Sequence, residues 1–156
     1  MANNAIMIFD GTPTTVITTT GTIATDIFSV ESTNATHTEF DNSTDLWPLA
    51  TATLSMPDTF SAAPAAGGTV DLYMYKQDID STNDELAPST TVANGAHYVG
   101  SFPIAASDVA QYSQITISLA GVQKCKFALK NSTSVTMSFS AGNTVKIEGF
   151  TYTPSA

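Results

Sequence analysis

The strictest constraint in this sequence lies in its last third, where apolar residues take alternate positions in four successive segments. Ile115, Ile117 and Leu119 form the first, Cys125, Phe127 and Leu129 the second, Val135, Met137 and Phe139 the third, and Val145 with Ile147 the fourth. Small or polar residues stand between them, among them Thr116, Ser118, Lys126, Ala128, Thr136, Ser138 and Lys146. A period of two sends successive side chains to opposite faces, so each segment predicts a strand with one buried and one wet face. The segments start ten residues apart, which is a spacing typical of sandwiches and barrels. Lys130-Asn131-Ser132-Thr133 and Ala141-Gly142-Asn143 supply turn residues between them.

The same period recurs upstream. Val70, Leu72 and Met74 alternate with Asp71, Tyr73 and Tyr75. Leu46 to Met56 reads as a long strand bulged near Pro48, because proline cannot donate to a ladder. Thr14 to Thr20 and Ile23 to Val30 read as two more strands, and Tyr98 to Ile104 as a shorter one ending near Pro103. Only Ala105 to Tyr112 could hold a helical turn. Charged residues make up 12% of the chain, about half the usual share, and the polar load is carried by Ser and Thr. Threonine is β-branched and suits pleated strands. The expectation is therefore an all-β, antiparallel β-sandwich of about eight strands with little or no helix. Its 156 residues make one domain, with residues 1–12 as a candidate N-terminal arm. The stretches Ser32 to Asp45, Asp58 to Gly68 and Gln77 to Gly95 read as loops, the last long enough to be functional or contact-making.

The net charge is −9 and there is no arginine. Nucleic-acid binding needs Lys and Arg to displace counterions and to read or stack on bases, so that class is not expected. An anionic membrane surface is disfavoured on the same ground. No segment reaches the roughly 20 apolar residues of a membrane helix, and the N-terminal run Ala5 to Phe9 is too short for a signal core. Synthesis in a cytosol is the expectation. The one cysteine, Cys125, excludes an internal disulfide. Of the 14 acids only Glu148 follows Gly121, whereas Lys124, Lys126, Lys130 and Lys146 all do. Either these are solvated faces of differing sign, or a basic edge of one copy meets an acidic edge of a neighbour, with Asp78, Asp80, Asp84 and Glu85 as candidates for the acidic side.

No motif carries catalysis. Zinc needs Cys and His at close spacing; His37, Glu39 and Asp41 could share a strand face, but a polar surface strand does the same. Asp78 to Glu85 concentrates oxygen ligands suited to calcium, without the glycine and bidentate glutamate of an EF-hand loop. No serine lies in Gly-x-Ser-x-Gly. Cys125 falls in an apolar series, which predicts an inert buried thiol. No cofactor and no metal are expected. Tyr73 and Tyr75 share a face and could stack on a glycan or anchor a subunit contact. Trp47, beside Pro48, reads as core. The sequons at Asn34, Asn42 and Asn131 are expected by chance in so Thr-rich a chain.

The segments Val70 to Tyr73 (Val-Asp-Leu-Tyr), Val99 to Pro103 (Val-Gly-Ser-Phe-Pro), Lys126 to Asn131 (Lys-Phe-Ala-Leu-Lys-Asn) and Gly142 to Lys146 (Gly-Asn-Thr-Val-Lys) carry a resemblance. Together they resemble small virion structural proteins of tailed bacteriophages, over about Thr69 to Thr153. These are strand and turn signatures with no catalytic residue among them. The resemblance implies a jelly-roll-like sandwich on a virion surface, made in the host cytoplasm. It further implies a non-enzymatic capsid decoration (cement) protein whose partners are the major capsid protein and copies of itself, expected as a homotrimer. The alternative is a carbohydrate-binding tail or fibre component.

Overall fold

Alternation becomes pleat over most of the chain. The computed structural model describes residues 5–9, 12–57, 60–78, 80, 82–137 and 142–154, and among these it contains ten strands and no helix. They are β1 (Ala5–Phe9), β2 (Thr14–Thr19), β3 (Ala35–His37), β4 (Phe40–Asp41), β5 (Leu49–Met56), β6 (Thr69–Gln77), β7 (His97–Pro103), β8 (Gln111–Ser118), β9 (Lys124–Ser132) and β10 (Thr144–Pro154). One sheet has the order β3-β2-β10-β5-β8, with β1 also on β10; the other has the order β4-β9-β6-β7. Every ladder between these strands is antiparallel.

From β4 onward the chain changes sheet at each connection except the β6–β7 hairpin. Strands β2, β10, β5 and β8 thus face β4, β9, β6 and β7, which is the double-sheet arrangement of an eight-stranded jelly roll. Strands β1 and β3 are additions to the larger sheet. The core lies between the sheets. Ala50, Ala52, Leu54 and Met56 of β5 and Val70, Leu72 and Met74 of β6 alternate into it, joined by Phe102, Ile117, Phe127, Leu129, Val145 and Ile147. Each large side chain enclosed there contributes about 1.5–3 kcal/mol. A bulge in the β2–β10 ladder skips Val16, so that both Val16 and Ile17 are buried.

Several expectations are corrected. The strand expected from Leu46 begins only at Leu49, past Pro48. Leu46 has a positive φ of 51° and belongs to a loop. Ile23 to Val30 forms no strand; it is a strap along the edge of β9, where the Asp26 and Ser29 amides donate to the Asn131 and Leu129 carbonyls, both at 2.7 Å. Val135 to Met137 is likewise no strand: Met137 makes only isolated bridges to Ile23 and Phe60, and Phe139 lies outside the described residues. Ala105 to Tyr112 contains bends leading into β8 rather than a helical turn. The long loop after β6 folds back on the sheet, where Ala87 and Ala96 pack with Tyr73, Tyr75 and Ala128.

Candidate interaction surface

The lysines are placed first by their strand. Lys124, Lys126 and Lys130 project from alternate positions of β9, next to β4 and the strap. Lys124 pairs with Glu39 at 3.3 Å, Lys126 with Glu31 at 3.1 Å and Lys130 with Asp26 at 3.7 Å. Their charges are therefore met within the chain, and they do not form a free basic edge. Lys146 is exposed on β10 and makes no ion pair among the described residues. The acidic candidates are occupied in their own loop. Asp84 accepts the Asp78 amide at 2.7 Å, Asp80 the Thr82 amide at 3.1 Å, and Glu85 the Lys76 amide at 2.6 Å and His97 Nε2 at 3.1 Å. Hydrogen bonds from Thr82 hold the Asp80 carboxyl below its usual range. No group of three or more His, Cys, Asp or Glu able to hold a metal occurs among the described residues.

The two tyrosines are also separated by their surroundings. Tyr75 is 2% exposed, and its hydroxyl lies 3.0 Å from His37 Nδ1. Tyr73 is half-buried, edge-on to Phe28 and Tyr98 with ring centroids at 4.9 and 5.8 Å. The strap and the long loop cover this face, so Tyr73 and Tyr75 are not presented together as a stacking platform.

His37 is the residue whose surroundings the sequence did not disclose. Strand β3 ends at His37 and the chain bends before β4, so His37 turns inward while Glu39 and Asp41 reach Lys124. The imidazole is 3% exposed. Its Nε2 lies 2.9 Å from Ser29 Oγ, which also accepts the Leu129 amide at 2.8 Å. Burial is the main cause that lowers its pKa to about 4; Glu31 opposes the shift and Lys126 adds to it. A Ser–His pair can generate a nucleophile, but Ser29 is fully buried and offers no approach to a substrate. Cys125 is equally enclosed, and burial, with a smaller push from Glu39, drives its thiol up to about 12.

The three sequon asparagines are buried loop pins. Asn34 Oδ1 accepts the Val30 amide at 2.7 Å. Asn42 accepts the Trp47 amide and donates to the Trp47 and Val122 carbonyls, tying two loops together. Asn131 makes four hydrogen bonds within the Ile23–Val135 region. Trp47 packs against the central core as expected, its indole lying over Gly149, where a Cβ would overlap the ring.

A shallow depression of about 280 Å³ lies among the loops at one end, lined by Leu46, Lys76, Asp78, Gly121, Gln123 and Lys124. Its charges are of both signs and its walls are long flexible side chains, which fits no single ligand class.

What remains is a two-stranded ribbon. Strand β10 outruns its partners: β2 covers Thr144 to Ile147 and β5 covers Thr144 to Phe150, after which only β1 continues. Strand β1 lies opposite Phe150 to Pro154, on the flank of β10 that β2 uses further back, because β5 holds the other flank at Phe150. Met7 faces Tyr152 and Phe9 faces Phe150 across the ladder, which puts all four side chains on one side. Phe150 is buried beneath rings at 5.4 Å (Phe9) and 5.6 Å (Tyr152). Above it, Met7, Phe9 and Tyr152 are 44, 47 and 54% exposed. Neither Ala5 to Phe9 nor Phe150 to Pro154 contains a charged residue. The expected N-terminal arm is therefore, over Ala5 to Phe9, a strand of the larger sheet. Compared with known proteins, the chain matches no protein-family model and no curated sequence.

Proposed function

We propose that this chain is a non-enzymatic structural subunit of a virion, a capsid decoration protein that binds an assembled shell and bridges its capsomers. The observation that carries this reading is the division of the surface. The jelly roll satisfies most of its own lysines internally, while one end extends as an uncharged ribbon with four exposed apolar side chains, Met7, Ile8, Phe9 and Tyr152. Exposed apolar surface concentrated in one place marks an association site, and an otherwise acidic exterior keeps the free subunit soluble. The resemblance of four sequence segments to virion structural proteins of tailed bacteriophages supports the particular setting. Binding only to the assembled lattice would stabilise it by mass action.

Add-back is the direct test. Purified chain mixed with particles stripped of it should decorate them in regular array by electron microscopy and raise their rupture temperature. Particles that stay bare at saturating protein refute the reading.

A further inference from the structure

We propose that the outer face of the smaller sheet carries a binding site for the guanidinium of an arginine on a different protein, with Asp71 as its acceptor and Tyr98 as its stacking surface. The inference goes beyond the structural-subunit reading and rests on the hydrogen-bond accounting of this face.

Asp71 stands on the face of β6 opposite Val70 and Leu72. Hydroxyls from three strands hold its carboxylate: Thr69 and Ser101 donate to Oδ1 at 2.9 and 2.6 Å, and Ser132 donates to Oδ2 at 2.6 Å. Tyr98 Oη lies 2.8 Å from Ser101 Oγ. The Ser101 hydrogen is already spent on Asp71, so Tyr98 is the donor of that bond. Every hydroxyl hydrogen of the cluster is thereby committed, and what the cluster can still offer a ligand is acceptors: a lone pair on Oδ2 and those left on the hydroxyl oxygens. Among the described residues Asp71 is in no ion pair. Lys130, its neighbour across the β6–β9 ladder, reaches Asp26 at 3.7 Å and lies 6.0 Å from the Phe28 ring centroid. The face is open, with Asp71, Ser101 and Ser132 half-buried and Tyr98 57% exposed.

A negative charge ringed by acceptors selects a ligand that is positive and only donates. An anion is repelled, and the oxygens of a sugar would find no donor. Arginine fits better than lysine, because its planar fork spreads five N–H groups over several acceptors and its face stacks on an exposed ring. The bond to Asp71 is charge-assisted, and the acceptors are held in place before the ligand arrives. This chain contains no arginine, so a second copy cannot fill the site. Its net charge of −9 favours the approach of a basic partner. On the structural-subunit reading that partner is the shell.

The probe is arginine capped at both ends, as its α-acetyl amide, titrated to about 50 mM into the isotope-labelled full chain at low salt, with backbone amide shifts read by NMR. The expected result is saturable shifts at Asp71, Tyr98, Ser101 and Ser132 with a Kd of about 1–10 mM, as suits one side chain. Capped citrulline, the uncharged isostere, should not bind, and capped lysine should bind at least about threefold more weakly. Asp71→Asn should abolish saturation, while Asp108→Asn, which removes an exposed acid elsewhere, should leave binding unchanged. Tyr98→Ala should weaken it about threefold. Tyr98 is exposed, so this variant should keep the parent unfolding midpoint and decides the matter even if Asp71→Asn does not fold. Shifts without saturation, citrulline or lysine binding as tightly as arginine, equal losses in Asp71→Asn and Asp108→Asn, or parent affinity in Tyr98→Ala each overturn the proposal. Arginine binding by a chain that leaves stripped particles bare refutes the decoration reading and leaves the site standing; decorated particles without arginine binding do the reverse.

Discussion

Lowering the pH from 7 to 4 should remove about 3 kcal/mol of stability through His37 alone. The folded ring is held at a pKa of about 4, chiefly by burial, against about 6.5 in an unfolded chain, and each unit of difference is worth about 1.4 kcal/mol. The folded value lies below the unfolded one. Between those two pH values the unfolded chain takes up a proton that the native state refuses, so stability is full above about pH 6.5, falls as the pH drops, and levels off below about 4. The geometry explains the refusal. A neutral ring has one nitrogen to accept from Ser29 or Tyr75 and one N–H to donate to the other. A doubly protonated ring accepts from neither and leaves a hydroxyl hydrogen without a partner in the core, in addition to burying a charge. For a domain of this size about 3 kcal/mol corresponds to roughly 6–12 °C in Tm. Carboxylates titrate over the same range, including Asp41, whose pKa is lowered by hydrogen bonds from Ser43. The informative quantity is therefore the difference between the parent and His37→Gln, which keeps hydrogen-bonding groups at the site and does not titrate. Urea unfolding of both at half-unit steps from pH 7.5 to 3.5 should give curves that converge by about 3 kcal/mol as the pH falls. Parallel curves refute the argument.

Gly149→Ala should cost about 1–3 kcal/mol by forcing the Trp47 indole off the β10 backbone, and a red-shifted emission from this single tryptophan in the native state should report the displacement. Two buried asparagines should respond oppositely to truncation. Asn131→Ala breaks four hydrogen bonds and should cost on the order of 3 kcal/mol in urea unfolding. Asn143→Ala removes an amide whose Oδ1 and Nδ2 have no hydrogen-bond partner among the described residues and should stay within about 1 kcal/mol of the parent. The Cys125 thiol should resist a thiol-specific reagent in the native state and react fully in denaturant; rapid native labelling would contradict its enclosure.

Period-two patterns were legible wherever a strand has one face on the central core, as in β5, β6, β8, β9 and β10. They misled where apolar residues serve as single anchors. Ile23 and Phe28 are buried, yet the segment between them is a strap that touches β9 at a few points. Val135 to Met137 has the alternation of a strand, but its neighbours are the Ile23 and Phe60 regions, which offer bridges rather than a ladder. Tyr73 and Tyr75 lie on the face opposite Val70, Leu72 and Met74, as their spacing requires. Spacing cannot tell a face open to water from one covered by the chain's own loops, and here Phe28, Ala87 and Ala96 supply the cover. The sequons looked like chance because Thr is common; the informative residue in each was the asparagine, whose amide can both donate to and accept from a loop backbone. The β1 ribbon was visible only as a short uncharged apolar run, because its partner stands at the far end of the chain.

The separation of charge along the sequence has a topological cause. A jelly roll brings its ninth strand beside its fourth, so lysines that follow Gly121 come to lie against acids that precede Asn42; Lys126 and Glu31, 95 residues apart, are 3.1 Å apart in space. Partly exposed pairs of this kind contribute only about 0–1 kcal/mol each, so they do little to hold the sandwich together. Their larger effect is on what the surface can offer a neighbour. Once Lys124, Lys126 and Lys130 are matched to Glu39, Glu31 and Asp26, the excess negative charge is carried by the remaining acids, and surface patches on different copies repel rather than attract. Matching these lysines within the chain removes the free basic edge that a contact between basic and acidic edges of two copies would need.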